Sequence, residues 1–268
     1  MPAGECFMYK KFKADMNKYW KYAIYSSKAQ LKSEVANSYL NWLWWILEPL
    51  CFMLIYNFIF GTVFAAREKY FSIFIFIGIT LWDFFNKTML QSVRIVKQNK
   101  SIVSKVYLPK YILLLVKMGV NGFKMFVSFG IVIIMLIAFR VPMTFNIIFA
   151  LPILAALGLI TFGIGCFLLH YGVFIEDLYN VVHIGLRLVF YMTGIFWNIT
   201  TRLPAPYGEI ICHVNPIAFL LSSMRDSILY GRTPNLPLLA LWLAVGLLLS
   251  VIGVRKIYRN ENSYVKVI

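Results

Sequence analysis

The sequence predicts an all-α integral membrane protein: six transmembrane helices, an N-terminal amphipathic interfacial helix, and a re-entrant helical hairpin between spans five and six. Three observations carry that prediction. The stretch Leu40 to Gly61 runs for twenty-two residues with a single charge, Glu48, long enough to cross a hydrocarbon core of about 30 Å as a helix. Hydrophobic residues make up 60% of the chain and the mean hydropathy is +0.74. Lysine and arginine are also distributed unequally between alternate loops, as expected when one set of loops stays in the cytoplasm.

Composition narrows the function classes. Six spans of about 20 residues occupy roughly half of such a chain, which leaves loops, a tail and one longer insertion in 268 residues, with no room for a separate soluble catalytic domain. A net charge of +15 in a soluble protein would suggest nucleic acid, but here the basic residues flank apolar spans, so no nucleic-acid partner is expected. Cys6, Cys51, Cys166 and Cys212 are scattered, without the paired spacing of a disulfide framework or zinc site. The N-terminal MPAGECFMYKKFKADMNKYWKY lacks a short apolar stretch followed by a small-residue cleavage site, so the first span is expected to remain in the mature chain.

Residues 1–39 are read as a cytoplasmic N-terminus and 40–268 as the membrane domain. Within the first, Trp20 to Ser38 has apolar Trp20, Ile24, Leu31 and Val35 at helical spacing opposite Lys21, Lys28 and Lys32, the pattern of a helix lying on the cytoplasmic leaflet. It serves either as an anchor on anionic lipid or as a contact surface for a cytoplasmic partner. The predicted spans are Leu40 to Gly61, Phe71 to Met89, Tyr111 to Phe139, Ile147 to Tyr171, Val181 to Ile199 and Leu236 to Val254. With the N-terminus inside, the cytoplasmic face receives sixteen Lys and Arg: seven between Lys10 and Lys32, five between Arg94 and Lys110, and Arg255, Lys256, Arg259 and Lys266. The opposite face receives six: Arg67, Lys69, Arg140, Arg202, Arg225 and Arg232. Both termini are therefore placed inside.

Two connections are more than turns. In 94–110, RIVKQNKSIVSKVYLPK, Ser101 is read as capping a short helix that ends before Pro109, with Ile102, Val103, Val106 and Leu108 giving it an apolar side. Four apolar residues facing water are better explained by docking than by a solvated turn. In 200–235, Asn215 is read as the cap of a helix with Pro216 in its first turn. Ile217, Leu220, Leu221, Met224 and Ile228 form its apolar face, and Ser222, Ser223, Arg225 and Asp226 the other. With GEIICHV before it, this makes two short elements joined near His213 that dip into the outer leaflet and return, where protein or water must satisfy the backbone.

Charges at membrane depth need partners, because each costs a few kcal/mol at the bilayer centre. Asp83 and Lys87 stand four apart and are expected to pair on one helix face; Glu48, Lys117, Lys124 and Arg187 also lie at or near membrane depth. His170, His183 and His213 have no metal-ligand spacing, and the neighbours Glu176 and Asp177 point about 100 degrees apart if helical, so no catalytic group is expected. The chain contains no GxxxxGK[ST] phosphate loop and cannot hold nucleotide in that manner by itself.

The run LKSEVANSYLNWLWWILEPL, followed in order by GITLWDFF, SIVSKVYLPK, IEDL and HVNPIAFLLSSMRDSILYG, resembles permease subunits of ABC-2 type exporters. It is most similar to the branch that exports polysaccharides and teichoic acids, which includes O-antigen, capsule and wall teichoic acid permeases. The resemblance covers nearly the whole chain. Ser38, Leu40, Trp44 and Pro49 match the motif entering the first span; Trp82 and Phe85 match that of the second. Lys105 and Pro109 match the loop that contains the coupling helix, Asp177 and Leu178 the loop after span four, and Asn215, Pro216 and Arg225 the outer hairpin. Asn41 stands where the family usually has glycine, and Glu176 where an arginine usually precedes the aspartate.

The resemblance implies a homodimer in the bacterial inner (cytoplasmic) membrane, with two ATPase subunits beneath it that bind ATP and Mg; no cofactor is expected in this chain. The implied ATPase-coupling residues are Ser101, Ile102, Val103, Lys105, Val106, Tyr107 and Pro109, with Glu176 and Asp177 on the second loop. The implied cargo is a polyprenyl-pyrophosphate-linked glycan. Aromatic residues make up 17% of the chain and present apolar ring faces to the C–H side of a sugar; Trp42, Trp45, Tyr56, Trp82, Phe85, Tyr191 and Trp197 are the expected channel set. Lys28 and Lys32, with Lys124 nearby, are expected to meet the pyrophosphate, since a phosphate anion needs cationic partners to leave water. A drug, haem or lipid exporter, a membrane-bound transferase, and a channel or secondary carrier are the competing classes.

Overall fold

The computed structural model describes residues 3–36, 40–63, 68–202, 204 and 206–267, and all regular structure among them is helical. Helix α1 spans Ala3–Ala36. Helix α2, Asn41–Tyr56, continues as a wider π-helical stretch over Asn57–Val63, and α3 runs Phe71–Gln98. The short α4, Lys100–Val103, leads into α5, Lys110–Ala138. A 3-10 turn at Phe145–Phe149 leads into α6, Ala150–Phe174, and α7 follows at Leu178–Met192. Three short helices come next: α8, Ile199–Arg202; α9, Tyr207–Val214; and α10, Pro216–Ile228. The chain closes with α11, Leu236–Arg259, and α12, Glu261–Val267. Ser38 and Arg67 lie outside the described residues.

Helix α3 is the centre of the bundle. Its residues Ile73 to Trp82 are buried without interruption, as expected of a helix that is apolar on every side, and it packs against α2, α5, α6, α7 and α10. Helix α11 packs along α6, and α1 along α5. Small residues set the closest crossings. A Cβ on Gly172 of α6 would overlap the Val93 carbonyl oxygen of α3. Between α6 and α11, Cβ atoms added at Gly163 and Gly253 would lie 2.7 Å from Leu249 Cβ and 2.6 Å from Cys166 Cβ. Ser250 Oγ donates across the same interface to the Leu159 carbonyl at 3.0 Å. This is the small-residue mode of membrane helix packing, in which close backbone approach replaces a hydrophobic driving force.

Among the described residues, five helices are long and apolar enough to cross a membrane: Trp42–Thr62, Phe71–Gln98, Lys110–Ala138, Phe145–Phe174 and Leu236–Arg259. They correspond to the first, second, third, fourth and sixth expected spans. The expected fifth, Val181 to Ile199, differs in its bounds. Helix α7 has 15 residues, about 22 Å of rise, and ends where Gly194 adopts φ +66°, a left-handed conformation that suits glycine at a helix end. The sequence read as one span because the turn after α7 is itself apolar and buried, with Ile195 and Phe196 packed inside.

The N-terminal helix is also longer than expected and rests on protein. Ala23 is buried, and Ser27 Oγ donates to the Val116 carbonyl of α5 at 3.1 Å, where Gly119 leaves room for it. Trp20 and Ile24 of the expected apolar face point away and are exposed, Trp20 to 52%. Leu31 and Val35 are half-buried.

Candidate functional site

Three places on this scaffold gather functional side chains, and the first is the end of the bundle where α3 stops. Ser101 is not the cap of the short helix there: Asn99 occupies the N-cap position, with its amide donating back to the Ile95 carbonyl at 2.7 Å. The apolar side is divided. Val103 is 6% exposed and Leu108 is buried, while Val106 is 59% and Tyr107 51% exposed. Val103, Leu108 and Pro109 thus anchor the segment, and Ser101, Ile102, Lys105, Val106 and Tyr107 form its outward face. Glu176 and Asp177 lie at the same end and are exposed. Glu176 shares a shallow recess with Arg94, Lys97 and Tyr179, and the Arg94 guanidinium stacks 3.5 Å from the centre of the Tyr179 ring.

The C-terminal residues complete this end, a contribution missed in the sequence. Tyr107 Oη donates to Glu261 Oε2 at 3.0 Å. Lys110 and Lys11 reach the same carboxylate at 3.5 and 4.0 Å. Burial, together with the adjacent Glu261, pushes the Tyr107 phenol above its usual range, so it stays protonated as a donor. Tyr264 is fully buried and bonds His170 Nδ1 at 2.8 Å. The available signal was an acidic residue inside the basic tail Arg255 to Lys266.

The second place is a polar notch at membrane depth. Lys87 donates to Asp83 at 3.0 Å, as expected from their spacing, and to Glu48 of α2 at 3.4 Å. Asn121 of α5 donates to Thr88 Oγ1 and Gln91 Oε1, each at 3.0 Å. Lys124 pairs with Glu34 of α1 at 2.7 Å, and Lys117 donates to Gln30 at 3.0 Å. Lys124 is therefore already neutralised within the protein and does not form a free basic group with Lys28 and Lys32, which are exposed on the outer side of α1.

The third place is the hairpin. Asn215 Oδ1 accepts from the Ile217 and Ala218 amides at 3.1 and 3.3 Å, with Pro216 in the first turn, and the five expected apolar residues are buried. The expected polar face is corrected, because Ser223 is buried and Arg225, 4% exposed, points inward. Arg225 Nε donates to the Phe74 carbonyl at 3.1 Å, Nη1 to Gly194 at 2.8 Å and Nη2 to Ile195 at 2.9 Å. Its guanidinium lies 3.5 Å from the centre of the Phe74 ring. One side chain thereby ties α10 to the start of α3 and to the end of α7. His213 bonds within its own turn, Nδ1 to the Glu209 carbonyl at 2.7 Å.

The seven expected channel aromatics do not share one surface. Trp82 and Phe85 are buried in the core, packed together at 5.8 Å between ring centres, and Trp82 also meets Phe190 at 5.4 Å. Tyr56 and Trp197 are half-buried and join a ring cluster around Phe196, with Tyr56 to Phe196 at 4.6 Å. Trp45 packs on Phe123 of α5 at 6.1 Å, and Trp42 and Tyr191 are exposed.

Apolar helices of spanning length, with a partly apolar loop presented at one end, define a multi-pass membrane protein. Residues 23–229 match the ABC-2 type transporter family, and the chain belongs to that family. It is similar to the O-antigen export system permease protein RfbA of Klebsiella pneumoniae, 26% identical over 224 residues, covering 83% of this chain and 85% of that protein. The protein of the same name from Myxococcus xanthus is 23% identical over 214 residues, covering 79% and 82%.

Proposed function

We propose that this chain is the membrane-spanning subunit of an ATP-driven exporter that moves a lipid-linked polysaccharide, of the O-antigen or teichoic acid kind, out of the cytoplasm. Membership of the ABC-2 type transporter family, with relatives named as O-antigen export permeases, carries this reading. The outward face of 101–107, with Glu176 and Asp177 at the same end, is the surface offered to a cytoplasmic ATPase. Two chains and two ATPases form the working unit. Both termini and that surface lie on the cytoplasmic side of the bacterial inner membrane, as the excess of lysine and arginine favours. Helix α7 and the turn after it together make the fifth of six crossings, and α9 and α10 re-enter from the outside. ATP-driven closure of the motor moves the loops as a rigid-body switch, and Lys28 and Lys32 meet the pyrophosphate of the cargo at the entrance.

The exposed aromatics Trp42 and Tyr191, with half-buried Tyr56 and Trp197, are the residues of the expected set that remain available to a sugar chain between two copies. Proteoliposomes containing this chain and its ATPase are expected to move a lipid-linked glycan only with hydrolysable ATP. Equal transport from an ion gradient without the ATPase would overturn the reading.

A further inference from the structure

We propose that Glu261, at the start of the C-terminal helix α12, is a positioning residue that latches the 101–107 segment in its partner-facing shape. Two donors from the loop and an ammonium from α1 converge on its carboxylate: Tyr107 Oη donates at 3.0 Å, Lys110 Nζ donates at 3.5 Å, and Lys11 Nζ lies within ion-pair range at 4.0 Å. Tyr107 belongs to the outward face itself, and Lys110 opens the helix that follows it. Lys110 is 3% exposed, so its ammonium depends on Glu261 for a counter-charge; a buried cation left without one moves toward water or disrupts its surroundings. The carboxylate thereby holds both ends of the stretch 107–110.

The latch is itself fixed on the opposite side. Tyr264, one turn along α12, is fully buried against α6 through His170. Just before α12, Tyr258 of α11 donates to Asp15 of α1 at 2.6 Å. The tail thus connects α1, α6 and the loop, and a displacement of the loop has to pass through the Glu261 contacts.

The proposal rests on reading 101–107 as the motor-facing surface only for its effect on coupling; the effect on loop conformation is independent of that reading. The experiment uses the full chain in which Cys6 and Cys51 are serine and Cys166 is alanine, carrying Leu108→Cys as the reporter, with and without Glu261→Gln. Leu108 is buried, and so is native Cys212 on α9, which serves as the internal control. In proteoliposomes, Glu261→Gln is expected to raise maleimide labelling at position 108 roughly tenfold, as local opening of one segment does. Cys212 should label at its original rate, and Glu261→Asp should restore slow labelling in part. In the complex with its ATPase, Glu261→Gln should also lower permease-stimulated ATP hydrolysis.

Unchanged labelling at 108, or an equal rise at both cysteines from general loosening, overturns the latch. Faster labelling at 108 alone, with normal stimulation in both Glu261→Gln and Val106→Asp, supports the latch while removing the motor-facing reading. Loss of stimulation in Val106→Asp, with no change of any kind in Glu261→Gln, does the reverse.

Discussion

Arg225 shows how a single residue organises the outer half of the molecule. Its guanidinium has no carboxylate within hydrogen-bond range among the contacts described; it donates instead to three buried backbone carbonyls from two other elements. Arg225→Met should remove the donor from the Gly194 and Ile195 carbonyls beyond the end of α7, at about 1–3 kcal/mol each, lowering the melting temperature of the detergent-solubilised chain by several degrees; the Phe74 carbonyl keeps its place in the α3 ladder. Gly78→Ala provides an independent approach, because its Cβ would overlap Arg225 Nη2 and dislodge the clamp with the arginine still present. Equal melting of both variants and wild type would show that the clamp carries no stability. A helical wheel gave Arg225 the wrong side, because it assigns charge to the solvent face and does not register that α7 ends with free carbonyls nearby. At the loop, Val103→Asp should prevent accumulation of folded protein, since Val103 is buried, whereas Val106→Asp should fold normally, since Val106 is exposed; yields and gel-filtration profiles separate the two.

At the scale of elements, the long spans were legible because some twenty apolar residues with few charges have no other economical explanation in water. The second span was underestimated: α3 continues from Met89 to Gln98, since Arg94 and Lys97 lie on its exposed side and do not end the helix. The fifth was overestimated, because hydropathy does not distinguish a buried apolar turn from a helix. The hairpin cap at Asn215 was legible from Asn-Pro chemistry alone. The contacts of α1 were not, because the side packed on the bundle combines Phe12, Met16, Tyr19 and Ala23 with Ser27, and much of it precedes Trp20, where the amphipathic pattern was read to begin. Close crossings give the sharpest prediction here. Gly172→Ala places a Cβ against the Val93 backbone, which cannot rotate away, and overpacking of this kind costs about 1–3 kcal/mol. Thermal unfolding should show the loss, while Gly158→Ala on the same helix, which meets nothing within 4 Å, should melt as wild type does.

For the whole molecule, the division of labour follows from what each end presents. The core around α3 is closely packed and apolar, Lys87 is paired with Asp83 and Glu48 and Lys124 with Glu34, and the partly apolar loop is exposed at one end. For the proposed coupling segment, the order of residues 101–109 marked the stretch, and only the fold separated buried Val103 and Leu108 from exposed Val106 and Tyr107. Aromatic residues were least legible, because they occupy core and surface alike, and Trp82 and Phe85 are buried in the core. The central claim is that this chain borrows its energy through the 101–107 face. The most direct measurement is ATP hydrolysis by the reconstituted complex with wild type and Val106→Asp chains, inserted in equal amounts. The account predicts that permease-stimulated hydrolysis and glycan movement are both lost in Val106→Asp; full stimulation in that variant would contradict it.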